Sequence, residues 1–184
     1  RYETLAQVTS SLLSQQAVAM AIVAPNQSGA EEMIRRLQTE GVIVVLLTRY
    51  LENCNDIDYI GADNQLIGLE ATRHLIELGH TGIVHVAASK TSTAFDRATG
   101  YVQAMKEAGL IPQIFIAPNQ QPLLPPELMT YLMEPDPVQF WIQVAQKEIT
   151  GIFSFNDQIA SWVQKEVRKL NLAIPRDISL ISID

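Results

Sequence analysis

The sequence has one cysteine, no apolar run long enough to cross a membrane, and no block of basic residues among its 184 positions. Each absence excludes something. A lone thiol, Cys54, cannot close an internal disulfide, and such usage suits a reducing compartment, so a cytoplasmic origin is expected. No stretch of about 18 apolar residues is present, and residues 1–20 lack the basic flank and apolar centre of a signal peptide, so neither membrane insertion nor export is expected. A net charge of −7 without a Lys/Arg cluster argues against a nucleic-acid surface on this stretch, because phosphate contacts supply most of that affinity. Any DNA-binding part is expected elsewhere.

Catalytic signatures are missing as well. There is no GxGxxG, Walker GxxxxGK[ST], GxSxG or HExxH, so the dinucleotide, P-loop, serine-hydrolase and zincin readings have no local motif behind them. The three histidines, His74, His80 and His85, fall on a helix, at its end and on the following strand, a spacing that does not converge on a metal. Cys54 with a distant histidine could form a nucleophile pair, but any chain with one of each offers that, and burial or incidental exposure is the plainer expectation. Neither a metal, a cofactor nor an enzymatic activity is expected.

What is present is a rhythm. Short β-rich runs, AMAIVA (19–24), VIVVLL (42–47), DYIGA (58–62), GIVHVA (82–87), QIFIA (113–117), GIFSF (151–155) and ISLISI (178–183), alternate with amphipathic helical stretches. Several runs are apolar without alternation, as for parallel strands covered on both faces. Ser28 and Glu31 have capping-box spacing for a helix to Glu40, with Gly41 as its stop. A second helix should start at Asp63-Asn64 and end at Gly79, burying Ile67, Ala71, Leu75 and Leu78. A third should run from about Ala94 to Ala108 and stop at Gly109. The last should begin at Asn156 or Asp157 and bury Ile159, Trp162, Val163, Val167 and Leu170. This order predicts an α/β fold with parallel, doubly wound sheets.

Two segments break the rhythm. Residues 48–64 suit a crossing between lobes, which sets the expected boundary at 1–62 and 63–184. Residues 117–140 hold six of the nine prolines, so helices there should be short or interrupted. The chain opens on a helix-like run with no strand before it and closes after an apolar strand, and it reads as a fragment lacking structure at both ends.

Ligands of open parallel sheets bind beyond the carboxyl ends of the strands. Read there, the sequence offers Thr48-Arg49, Thr91 to Arg97, Asn156-Asp157 and Asp184, a set of hydroxyl, guanidinium, amide and carboxylate groups that can read a polar small molecule. Plainer roles compete. Asp63-Asn64 and Asn156-Asp157 stand where N-caps belong. Thr91 to Thr93 could be a loop or cap, Arg49 a solvated charge, and Asp184 a turn residue. Arg97 is harder to assign: in the first turn of a helix from Ala94 it opposes the macrodipole, at roughly 0.3–1 kcal/mol when exposed. It requires a partner, either Asp96 or another carboxylate, or the oxygens of a ligand.

The runs IGADNQLIGLEATRHLIELGHTGIVHVAA, FDRATGYVQAMKEAGL and TGIFSFNDQIASWVQKEVRKLNLAIPRDISLISID resemble the effector-binding domain of LacI/GalR-type transcription regulators, whose two-lobed fold is that of type I periplasmic sugar-binding proteins. The signposts are DN before a helix ending in LGH, RxxGY, ND opening a later helix, and P-x-D-I-S before a strand ending in Asp. The resemblance covers Ala17 to Asp184, except the proline-rich stretch. It implies that a strand, a helix and a second strand precede this chain, and that a segment after Asp184 returns to the first lobe. It also implies that Arg97 contacts an effector, with Thr93 one turn earlier, Asn156 and Asp184 holding hydroxyls or equivalent groups, and Thr48-Arg49 where many relatives have Asp-Arg. Thr48 lacks the usual carboxylate, and AASK (87–90) replaces a glycine-bearing turn; both depart from the sugar-binding pattern.

The expected function is ligand sensing by a bacterial transcription regulator, with a small polar metabolite between the lobes, a DNA-binding headpiece preceding Arg1, and a homodimer. An exported solute-binding protein of the same fold is the alternative. A third possibility, an enzyme on this scaffold, lacks a visible reacting residue.

Overall fold

The computed structural model describes residues 5–26, 28–88, 91–118 and 124–183. The expected Asp184, part of AASK and part of the proline-rich segment lie outside them. The elements in order are α1 (Leu5–Ser14), β1 (Ala19–Val23), α2 (Ala30–Thr39), β2 (Ile43–Leu47), β3 (Asp58–Ile60), α3 (Asn64–Glu77), β4 (Ile83–Ala87), α4 (Ser92–Glu107), β5 (Ile114–Ile116), α5 (Pro126–Met129), α6 (Pro137–Ala145), β6 (Gly151–Ser154), α7 (Asp157–Lys169) and β7 (Ser179–Ser182). They form two compact units, residues 1–62 with 91–93, and residues 63–90 with 94–184.

In the first unit, apolar β-branched runs pair as a parallel sheet of order β1-β2-β3. Met33, Ile34 and Leu37 of α2 pack with Val42, Val44, Leu46 and Ala24. On the other face, Val23, Ile43 and Ile60 are exposed among the described residues. The capping box also fails: Gly29 is the N-cap of α2, in a left-handed conformation with φ of 86°, and no side chain caps it. The loop after β2 is fastened by Arg35, whose guanidinium grips both carboxylate oxygens of Asp56 at 2.6 Å and the carbonyl of Asn53 at 2.6 Å. The Arg35 hydrogen bond holds the Asp56 carboxyl below its ordinary value. Cys54 is a buried residue of this loop, and burial pushes its thiol up.

The second unit is a parallel sheet of order β5-β4-β6-β7 with helices on both faces. Every residue of β4 and β6 is buried, as continuous apolar strands demand. On one face Ala71, Leu75, Ala98, Tyr101 and Met105 of α3 and α4 pack on Ile83, Ala87 and Phe153. On the other, Phe140, Val144, Val163 and Val167 of α6 and α7 pack on Val84, Val86 and Ile152. Leu78, expected in the α3 stripe, is 60% exposed, because the buried face of that helix turns through Asn64, Gly68, Leu69, Thr72 and Leu75. The prolines act as anticipated: α5 has four residues, and Pro126 and Pro137 both sit at helix starts, where no N–H is needed.

Polar side chains pin the sheet from within. The Tyr101 hydroxyl accepts the Gln113 N–H at 2.8 Å and lies 2.8 Å from the Ile83 carbonyl and 2.9 Å from that of Gln113, joining α4 to the starts of β4 and β5. His80 spans Thr150 Oγ1 at 2.9 Å and Ser179 Oγ at 2.8 Å, joining the lead-ins of β4, β6 and β7. His85 is fully buried, stacked on Phe153 at 4.5 Å, with Nδ1 on the Phe153 carbonyl at 2.9 Å. Desolvation lowers its pKa to about 4, with nearby Arg97 acting in the same direction.

His85 sets a pH dependence. The unfolded chain protonates it below about 6.5, whereas the folded chain resists until about 4, so stability falls as pH drops through that window. The full loss attributable to this group is on the order of 3 kcal/mol. Urea denaturation between pH 7 and 4 should show that His85→Leu removes this component of the acid sensitivity; equal pH slopes in both proteins would refute the assignment.

Candidate functional site

The ends of β4 and β6 place two of the expected residues together. β4 leads towards α4, which begins at Ser92 rather than Ala94, so Arg97 lies in the second turn. The macrodipole penalty inferred for a first-turn position is accordingly small, since that effect falls off within one turn. The more demanding cost is burial, because Arg97 is only 8% exposed. An unsatisfied guanidinium there would be strongly destabilising.

Two acceptors and a ring answer that cost. Arg97 Nε donates to Asn64 Oδ1 at 2.9 Å, and Nη1 donates to the Phe155 carbonyl. The Phe155 ring lies 4.9 Å from the guanidinium carbon, within cation–π range. The alternative partner raised by spacing, Asp96, is not among the groups in these three contacts. These three contacts, with two neutral oxygens and an aromatic face, orient the guanidinium.

Asn156 follows Phe155 directly. It is the N-cap of α7, and its Oδ1 accepts the Ile159 N–H at 2.9 Å. Both readings offered by the sequence are compatible, because the cap uses the oxygen and leaves the NH₂ to donate elsewhere. The Asp63-Asn64 pair divides its labour differently. Asp63 caps α3 by accepting the Leu66 N–H at 2.9 Å, whereas Asn64 is turned inward and only 4% exposed. Sequence reasoning assigned both residues to capping and so missed Asn64.

Asn64 can reach Arg97 because α3 and α4 touch through their backbones. A Cβ on Gly68 would stand 2.1 Å from the Arg97 carbonyl oxygen, and one on Gly100 would stand 2.0 Å from that of Gln65. Only glycine tolerates either approach. Both contacts lie within about one turn of the Asn64 to Arg97 bond on each helix.

The remaining expected residues are placed as follows. Thr93 is in the first turn of α4, partly buried, with its hydroxyl 3.0 Å from that of Thr91. Thr48 and Arg49 belong to the first unit, after β2. Thr48 is exposed and has φ of 62°, an unusual conformation for a β-branched residue, with its carbonyl accepting the Tyr59 hydroxyl at 3.1 Å. Asp184 lies outside the described residues. Among the described residues, no cluster of histidine, cysteine or carboxylates could hold a metal, and no helix is long and apolar enough to cross a membrane.

The chain is similar to known proteins. Residues 72–184 match the periplasmic binding protein-like domain. The arabinose metabolism transcriptional repressor of Halalkalibacterium halodurans is 24% identical over 154 residues, covering 80% of this chain and 38% of the repressor. The transcriptional regulator GalR of Escherichia coli is 31% identical over 139 residues, covering 67% of this chain and 36% of GalR. The crystal structure of the LacI family regulator CcpA from Weissella paramesenteroides, with bound glucose, superposes with a TM-score of 0.70 at 20% identity, over 98% of this chain and 64% of that one. The chain thus spans well under half the length of these curated relatives.

The helix contact is testable by itself. Gly100→Ala should force α3 and α4 apart and cost about 1–3 kcal/mol, as overpacking does. An unchanged urea midpoint would show that the contact is looser than described.

Proposed function

Because the chain belongs to the periplasmic binding protein-like domain family, as an effector-binding domain of the LacI/GalR type, we propose that it senses a small polar metabolite, a sugar or related compound, for a DNA-binding transcription regulator. The observation that carries the reading is Arg97, a buried cation bonded to Asn64 and to the carbonyl of Phe155 at the carboxyl end of β6, the residue before Asn156. A guanidinium so held suits oxygen-rich ligands. Thr93, Asp184, Thr48 and Arg49 complete the proposed effector set. The relatives matched in sequence are transcription regulators, which favours this reading over an exported solute-binding protein and over an enzyme.

Sensing requires that the effector bind two conformations unequally, since equal affinity would shift nothing. The DNA-binding headpiece, outside these residues, would read that shift, and the setting is cytoplasmic. Homodimerisation belongs to the same proposal. The surface of the second unit that suits it is an apolar groove of about 510 Å³ between α6 and α7, lined by Pro137, Val138, Trp141, Ile142 and Trp162. Val138 is 65% exposed there, and aromatic-rich exposed patches of this kind mark association surfaces.

Two measurements check the reading. Thermal-shift screening of the full-length protein against pentoses, hexoses, sugar acids and sugar phosphates should yield a ligand, and calorimetry should show that Arg97→Ala lowers its affinity at least about a hundredfold with the fold intact. Unchanged affinity would remove Arg97 from the site. Val138→Glu should shift the sedimentation of the full-length protein from dimer towards monomer; a dimer of undiminished affinity would exclude this face.

A further inference from the structure

We propose that Asn64 is a positioning residue for Arg97, an inference that rests on the effector reading of that arginine. Asn64 is the first residue of α3, a place where an exposed side chain costs nothing, yet it is 4% exposed and directed at the arginine of the neighbouring helix. Its short side chain spans the gap only because Gly68 and Gly100 let the two backbones meet.

The bond determines geometry rather than charge. A guanidinium can swing about its aliphatic stem, and its value as a planar fork depends on where that plane points. Asn64 takes Nε from the α3 side, and the Phe155 carbonyl takes Nη1 from the end of β6. Acceptors on two separate elements fix the plane before any ligand arrives, which lowers the ordering cost of binding. The amide oxygen does this without a negative charge. A carboxylate at the same place would orient Arg97 equally well while partly cancelling the charge that an oxygen-rich ligand meets. Asparagine is the residue that separates the two effects, whereas a purely capping role would have favoured aspartate as readily.

The test follows the Arg97 Nε–H by nitrogen-15 NMR in the full-length protein, with thermal unfolding as the control for fold. In the unaltered protein this proton should exchange slowly with solvent. Asn64→Asp should keep it slow, and Asn64→Leu should speed it by at least about tenfold, the loss expected for a hydrogen bond from a charged donor. If Asn64→Leu does not fold, Asn64→Ser, whose hydroxyl is too short to reach, should show the same acceleration. Exchange that is equally slow in the Leu or Ser variant, or fast in the unaltered protein, overturns the proposal. This readout is independent of the Arg97→Ala titration. A failed titration removes the effector role of Arg97, whereas unchanged exchange removes only the role of Asn64.

Discussion

The backbone contact between α3 and α4 is the constraint on which the candidate site depends. Glycine at 68 and at 100 removes the side chains that would otherwise hold two helices 8–10 Å apart. The closer approach brings an asparagine within reach of an arginine on the other helix and buries both. It also seats Tyr101, the residue after Gly100, where its hydroxyl can join the starts of β4 and β5. One packing choice therefore fixes both the sheet at one end of α4 and the cation near its other end.

Among the described residues, the same unit treats its two buried basic groups in opposite ways. Arg97 cannot give up its proton, so the fold supplies acceptors and an aromatic face. His85 can, so the fold leaves it neutral between Phe153 and Tyr101, its Nε2 without a partner. A second cation near Arg97 would weaken the first, and burial of His85 prevents it from forming at neutral pH.

Much of the fold was legible because its signals are local. Apolar runs marked the strands to within one or two residues, and Gly79 and Gly109, both with positive φ, marked the stops of α3 and α4. Local signals also misled. The Ser28 and Glu31 spacing met the rule for a capping box, but Gly29 starts α2 in a left-handed turn. Val23, Ile43 and Ile60 have the composition of buried strand residues, and nothing in one sequence says which face of a sheet is covered. In the candidate site, Arg97 and Asn156 stood out as polar residues after apolar strands. Asn64 did not, because an adjacent aspartate accounted for the helix start, and only the fold shows that the neighbouring side chain leads elsewhere.

Several residues that carried the family resemblance are mechanical parts. Asp63 caps α3, His80 ties three strands, Gly100 admits α3, and Asp177 of the P-x-D-I-S run accepts the Ala173 N–H at 2.9 Å to close the turn before β7. Such parts are compatible with many effectors, so a resemblance built on them is informative about the frame and nearly silent about the ligand. The chemistry turned towards the ligand is narrower. On the proposed reading, the second unit contributes two donors, the Arg97 guanidinium and the Asn156 NH₂, beside the Asp184 carboxylate. The part of the effector that meets these two donors must therefore carry acceptor oxygens or nitrogens, and selection among such ligands falls to the residues around that pair.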